Sequence, residues 1–411
     1  MQRRKDCAPE VNGTPVAPYT EEPKTFGGIT FPTCRRVRRP SGWHCGSAPA
    51  AITLDMHDIR VSAGRSPMTS TGTDTSSMAT HVIESTPETV RSGYLDPAAK
   101  PVATIAPGDT VSYPHTWTHW GNEAVFGMSF ADREPLRHRY PHGPYSMLGP
   151  VAVTGAEPGD VIECSITALR TIDWGWNSFP LGVGALPHDF AEPYVHYFRF
   201  DDDRTTAKFT HGIKLPMAPF LGVVAVEPAG DDLISAIVSG SYGGNLVLRD
   251  LGAGSHLFLP VQKPGGRVWI GDVHALQGDG VLDQTAIETA AEDLDIRYDL
   301  HKQVALRAPL GETETSWIVI GFAGNLDDAT VACLREVIHW LAAAAQITES
   351  EAYALASMAV SFRVTQYANQ TGSAYTSTPP KAVHAVIPKA VFPAEIRDRI
   401  GAWLRPQAVT A

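Results

Sequence analysis

Segment 271–288, GDVHALQGDGVLDQTAIE, concentrates side chains able to do chemistry: three aspartates, a histidine and a glutamate set among glycines. In an extended chain Asp272 and His274 stand at i and i+2, so both point to one face. A carboxylate oxygen beside an imidazole nitrogen suits a divalent metal or a proton-transfer site. The same residues also read as a turn whose aspartates bond their own backbone, with His274 in the core. At 242–245, YGGN, consecutive glycines would let the N–H groups of Gly243 and Gly244 reach a ligand, and Asn245 offers a donor and an acceptor. A plain hairpin turn is the other reading of that tetrapeptide. Segment 114–123, PHTWTHWGNE, adds His119 and Glu123 as pocket-lining or structural residues, its Pro and Trp favouring loop or strand. Trp176, in the WGW at 174–176, could wall a small apolar cavity or belong to the core.

These residues need a scaffold. Residues 267–270, RVWI, read as a strand that opens at Gly271 into a loop punctuated by Gly278 and Gly280. From Met78 to about residue 300 the chain reads as short strands between turn signals. Pro-Gly-Asp recurs at 107–109 and 158–160 as a tight strand connection and hints at an internal duplication. The last quarter changes period. Val331, Leu334, Ile338, Leu341 and Ala345 form one helix face, capped by Asp327 or Asp328. A capping box at 348–351 opens a second helix, 360–367 reads as a strand, and a last helix from Pro393 presents Ile396, Ile400 and Leu404. The expected fold is mainly β (α+β), with a β-sandwich or jelly-roll-like core and a C-terminal helix-containing α/β part. The expected divisions are a disordered extension at 1–77, a β-rich core at 78–300 and a C-terminal part at 301–411 packed on it.

A chain of 411 residues suits one large or two to three ordinary domains. The net charge of -11 argues against a nucleic-acid partner, and no apolar run has the length of a membrane span. Cys7, Cys34, Cys45, Cys164 and Cys333 are unclustered and form no CxxC, so neither a zinc knuckle nor a disulfide framework is indicated and a cytoplasmic setting is expected. Residues 1–77 mix basic runs with Pro, Gly and Ser without period, and Met78 is expected to be the functional start. Cys34, His44 and Cys45 fit no common zinc module. There is no GxSxG, Walker loop, HExxH or GxGxxG opening a helix, so a serine-driven hydrolase is unsupported.

GDVHALQGDG followed by TAIE, the GGN before it, and GPVAVTGAEPGDVIEC at 149–164 resemble the acetamidase/formamidase family. So do LRDLGAGSHLFLPV at 248–261, SFRVTQYANQ at 361–370 and KAVHAVIPKAVF at 381–392. The resemblance implies hydrolysis of a small aliphatic amide to carboxylate and ammonia, a β-sandwich-based fold, a homo-oligomer (dimer or higher) and a bound divalent ion, zinc or calcium. Carried over residue by residue, Asp272, His274, Gln277, Asp279 and Glu288 match the family's acidic loop and Asn245 its GGN turn. Expected roles follow. Asp272, His274 and Asp279 hold the ion, and Glu288 or Glu123 moves the proton. Asn245 with the N–H groups of Gly243 and Gly244 steadies the oxyanion, Gln277 belongs to the catalytic set, and His119 and Trp176 face substrate. Val247 and Val281 replace carboxylates usual in the family, and Thr118 stands where relatives carry Asp. Those changes keep open a ligand-binding homologue without turnover, or a hydrolase for a larger, less polar amide.

Overall fold

The computed structural model describes residues 78–367 and 375–406, with short strands inside the first 37 residues. By contacts the chain divides into units 1–74 and 75–411. In the first, Glu10–Val11 pairs with Thr14–Pro15, Pro18–Tyr19 with Arg36–Val37, and Lys24–Phe26 with Ile29–Phe31. Cys34, His44 and Cys45 lie outside the described residues.

The second unit is mainly β with few helices. Among the described residues it holds a ten-stranded and a nine-stranded sheet. The ten-stranded sheet runs Tyr194–Arg199, Trp174–Phe179, Ile287–Thr289, Val268–Leu276, Phe220–Val226, Gly243–Asn245, Ser239–Gly240, and Ser146–Val153 also pairs with Val268–Leu276. Its central strands are buried along almost their whole length, which explains their near-continuous apolar sequences. The nine-stranded sheet runs from Ser361–Gln366 through Lys381–Pro388, Ser316–Ala323, Leu310–Glu312, His256–Pro260, Val161–Thr171 and Ala291–His301 to Thr110–Ser112 and Thr80–Val82. One core joins the two sheets: Leu221, Val224 and Ile270 from the first meet Ile162, Leu257, Ile296 and Ile318 from the second.

The strands after residue 300 extend the sheet that holds Val161–Thr171, so the division read at 300 falls inside one hydrogen-bonded sheet. Helices Leu326–Ala345, Glu349–Ala359 and Ala394–Leu404 share a second core with that sheet. The first of them is capped by Asn325, whose side chain accepts from the Asp328 N–H; Asp327 and Asp328 sit inside the first turn instead of capping it. Its buried face is also rotated from the one read in sequence. Val331 is exposed, and Ala329, Cys333 and Val337 face the sheet. The reason is close approach: a Cβ on Gly321 would overlap the Cys333 backbone nitrogen, so small residues must face that strand. Both Pro-Gly-Asp turns share one geometry, with Gly108 and Gly159 at φ +93 and +95 and each aspartate accepting from the N–H three residues earlier.

Candidate active site

The strand expected to end at Ile270 continues to Leu276 and the chain turns only after it. Gly271 serves packing rather than a turn: a Cβ there would lie 2.8 Å from Met147 Sδ and from Ser146 O on the neighbouring strand. Asp272 breaks the regular backbone with φ 57, a conformation Asp tolerates better than most residues. After the turn, Ile287–Thr289 returns antiparallel and places Glu288 directly opposite His274. Trp176 pairs with Glu288 from the other side, and Phe220 flanks His274. His119 arrives from a short helical turn, His119–Asn122, not a loop or strand; Trp120 and Gly121 have left-handed φ of 56 and 63 there.

His119, Asp272, His274 and Glu288 are all buried. His119 Nε2 lies 3.1 Å from Asp272 Oδ1 and 3.4 Å from Glu288 Oε2. His274 Nε2 lies 2.9 Å from Asp272 Oδ2 and 3.1 Å from Glu288 Oε2. These last contacts are close but out of line, so Asp272 Oδ2, His274 Nε2 and Glu288 Oε2 converge without a hydrogen bond. Behind them the geometry is tied down. Gln277 Nε2 donates to Val247 O at 2.7 Å, which turns its Oε1 to His274 Nδ1 at 3.0 Å and assigns the proton to that nitrogen. Glu288 Oε1 accepts from the Ala286 N–H at 2.9 Å.

Electrostatics follow from this crowding. For His274, burial opposes the imidazolium, but Asp272 and Glu288 outweigh it and hold its pKa well above the ordinary histidine value. His119 is raised in the same way, against burial, by Asp272 and Glu288. Burial pushes Glu288 up, yet His274 and His119 hold it well below the usual carboxylate range.

One cavity of about 80 Å³ collects these groups: His119, His274, Glu288 and Trp176, with Asn245 and Val247 from beside the GGN segment. His119 meets the Trp176 ring edge-on at 5.0 Å and Tyr145 at 5.3 Å. Asn245 Nδ2 donates to Ile237 O at 3.0 Å and its buried Oδ1 has no hydrogen-bond partner, so it presents an acceptor where a donor was expected. Gly243 and Gly244 lie in a strand outside the cavity lining; both have positive φ, and a Cβ on either would overlap a neighbouring carbonyl. Their glycine requirement is tight backbone packing.

Two expected residues stand elsewhere. Asp279 pairs with Arg249 at 3.2 Å, outside the cluster, because the turn after Gln277 carries it away from the two strands. Glu123 is held by Arg139 at 2.7 Å and by the Tyr140 hydroxyl, partly in solvent. Among the described residues, the group able to hold a metal is His119, Asp272 and Glu288, one ligand atom from each lying within 4.8 Å of the others. Val247 and Val281 both line the cavity, at φ 43 and 46. The sequence reading missed Tyr145, Arg133, Arg137 and Gln366, which also line it. For the arginines a signal existed: Ser129 and Asp132 form a capping box opening helix Phe130–Arg139, obscured by Pro135 and by the lack of an apolar stripe.

A family model described as the acetamidase/formamidase family matches residues 95–238 and 234–394. The chain is 26% identical over 209 residues to a formamidase of Methylophilus methylotrophus, covering 38% of this chain and 51% of that protein. It spans about half the length of the curated relatives it matches. Among solved structures, an acetamidase from Yersinia enterocolitica aligns with a TM-score of 0.67 at 28% identity, covering 76% of this chain and 93% of that one. An acetamidase from Bacillus halodurans aligns with a TM-score of 0.66 at 25% identity, covering 75% and 98%.

Proposed function

The chain belongs to the acetamidase/formamidase family, and we propose that it hydrolyses a small linear amide to carboxylate and ammonia. The observation that carries this is the convergence of Asp272 Oδ2, His274 Nε2 and Glu288 Oε2, buried and without hydrogen bonds, in a cavity of about 80 Å³. Groups left so are costly unless a ligand or ion completes them.

In this reading Asn245 Oδ1 accepts a hydrogen bond from the amide NH₂, which orients the carbonyl. Glu288 Oε2 takes a proton from the attacking water, and the imidazolium of His274 gives its Nε2 proton to the departing nitrogen. The proton on Glu288 then crosses the 3.1 Å to His274 Nε2 and restores the starting state. Gln277 keeps the His274 ring oriented throughout, and Trp176 and Tyr145 keep bulk water from the cavity. His119, Asp272 and Glu288 are the residues that would hold a divalent ion, and the buried, unpaired carboxylate atoms fit one. A nitrogen ligand among them suits zinc better than calcium, which prefers oxygen alone. When bound, such an ion supplies Lewis acidity to the carbonyl and acidifies water.

The test is ammonia release from formamide, acetamide and propionamide, with and without added zinc. Turnover lost in Glu288→Gln and His274→Gln supports the reading; wild-type rates in both variants sink it. Val247 and Val281 favour a second reading, a binding protein without turnover, because both place apolar surface on the cavity wall. A thermal shift with amide and no ammonia from the wild type would select that second reading. The sandwich architecture is supported by the core shared between the sheets. Self-association and a cytoplasmic setting complete the proposal, to be tested by light scattering and by fractionation; no helix among the described residues is long and apolar enough to cross a membrane.

A further inference from the structure

Arg133 and Arg137 stand four residues apart on helix Phe130–Arg139, so they share a face, and both line the cavity that holds His119 and Glu288. Both are buried, 1% and 8% exposed, and the Nε of each has no hydrogen-bond partner. Arg133 is largely committed. It donates to Tyr197 Oη at 2.7 Å and to Ser178 Oγ at 3.3 Å, and lies 5.3 Å from the Trp176 ring centroid. Arg137 is not: among the described residues its guanidinium makes no ion pair and no hydrogen bond; it lies 6.0 Å from the Phe130 ring centroid and within electrostatic reach of Tyr375, which shares the cavity. A cation in the last turn of a helix complements the dipole, but that needs no burial, and the exposed Arg139 already supplies it. The acid nearest in sequence, Glu134, is exposed and pairs with His138. A buried guanidinium without a carboxylate is unfavourable until an anion completes it, and its planar fork matches a carboxylate.

We propose that Arg137, backed by Arg133, recognises a negatively charged carboxylate on the substrate, so that the amide taken by this site is the monoamide of a short dicarboxylic acid. This rests on the amidase reading and narrows it. A cavity of about 80 Å³ suits an amide and a carboxylate one or two carbons apart. Asn245 Oδ1 and the His274–Glu288 pair address the amide end; Arg137 addresses the other.

The experiment compares kcat/KM for malonamate with that for propionamide, by ammonia release, in the wild type, Arg137→Gln and Arg137→Lys. The wild type is expected to favour malonamate by roughly ten- to hundredfold, the range of a hydrogen bond to a charged group. Arg137→Gln should collapse that ratio through KM, and Arg137→Lys should keep much of it. A wild type that does not prefer malonamate overturns the proposal without any variant, and so does an unchanged ratio in Arg137→Gln. If no amide is turned over, the amidase reading fails separately, and malonamate binding by calorimetry decides: lost in Arg137→Gln and kept in Arg137→Lys upholds the anion site, equal binding overturns it. Acetate bound as tightly as malonamate and lost in the same variant would assign Arg137 to the product carboxylate and overturn the proposal.

Discussion

His274 and Glu288 face each other across the antiparallel pair formed by Val268–Leu276 and Ile287–Thr289, with Nε2 and Oε2 3.1 Å apart. Both sit on strands buried on each side, so neither can move away to seek another partner. If this pair passes the proton, Glu288→Gln should lower kcat by about 10²–10⁴ with little change in KM, since proton transfer contributes on that order. Steady-state kinetics on formamide would measure it, and a rise in KM alone would assign Glu288 to binding instead.

Gln277 acts through His274, whose Nδ1 it fixes at 3.0 Å while holding Val247 O at 2.7 Å. Outer partners of this kind typically account for 10- to 100-fold. Gln277→Ala should therefore cost about that in kcat and move the alkaline limb of the pH–rate profile to lower pH, because the imidazolium that acts as the acid loses an acceptor as well as its orientation. Gln277→Glu, which keeps an acceptor toward Nδ1, should recover part of the loss.

The orphaned atoms predict metal content. Elemental analysis of protein purified without chelator should find a divalent ion, and Asp272→Asn should lose it. The readout does not depend on activity. Adding zinc to stripped protein should raise the melting temperature, since a ligand that binds only the native state stabilises it. Protein that stays metal-free and whose melting temperature ignores zinc would leave the cluster as a pure proton site.

How much of this was legible in the sequence depends on distance along the chain. Asp272 and His274 could be paired because i and i+2 share a side of an extended strand, although the left-handed φ of 57 at Asp272 is a local departure that this period does not encode. The helix Glu349–Ala359 followed from its Thr348 and Glu351 capping box, a local signal. His119 could be suspected of facing a pocket, but its place against Asp272 is set by a contact 153 residues apart, which no period encodes. Asp279 matched the acidic motif, yet the turn directs it to Arg249, and motif matching cannot see which way a turn exits. Arg137 escaped notice because a helix with no apolar stripe gives no periodic signal, and its burial arises from the cavity wall it joins.

Acid stability is set elsewhere. Glu163 is buried in the nine-stranded sheet, where burial pushes its pKa up but His256, His301 and Arg405 outweigh that and hold it far below the usual carboxylate range. A folded-state pKa below the unfolded value contributes stability present above about pH 4.3 and lost as pH falls toward the folded value. Unfolding monitored against pH should show native stability declining below about pH 4, and more weakly in Glu163→Gln. At neutral pH that variant should cost about 1.5–3 kcal/mol, the range of a hydrogen bond to a charged group, since Arg405 keeps Glu312 as a partner.

The placement of Asp272 rests on an absent side chain. Gly222 lies on the neighbouring strand, and a Cβ there would overlap Asp272 Oδ2 and approach its Cγ at 3.0 Å. Val247 N–H donates to Gly222 O at 2.9 Å, so the strand cannot step back without disturbing the Val247 segment that anchors Gln277. Gly222→Ala must therefore displace the Asp272 carboxylate, and it crowds the Asp272 carbonyl as well, to which the Cβ would approach within 2.9 Å. The variant should fold, with a loss of about 1–3 kcal/mol as for other overpacked sites, and should lose metal content and amide turnover together. Circular dichroism, elemental analysis and ammonia release on one preparation would separate this from general unfolding. Full metal content and full turnover in a folded Gly222→Ala protein would show that Asp272 is free to shift and does not set the geometry of the cluster.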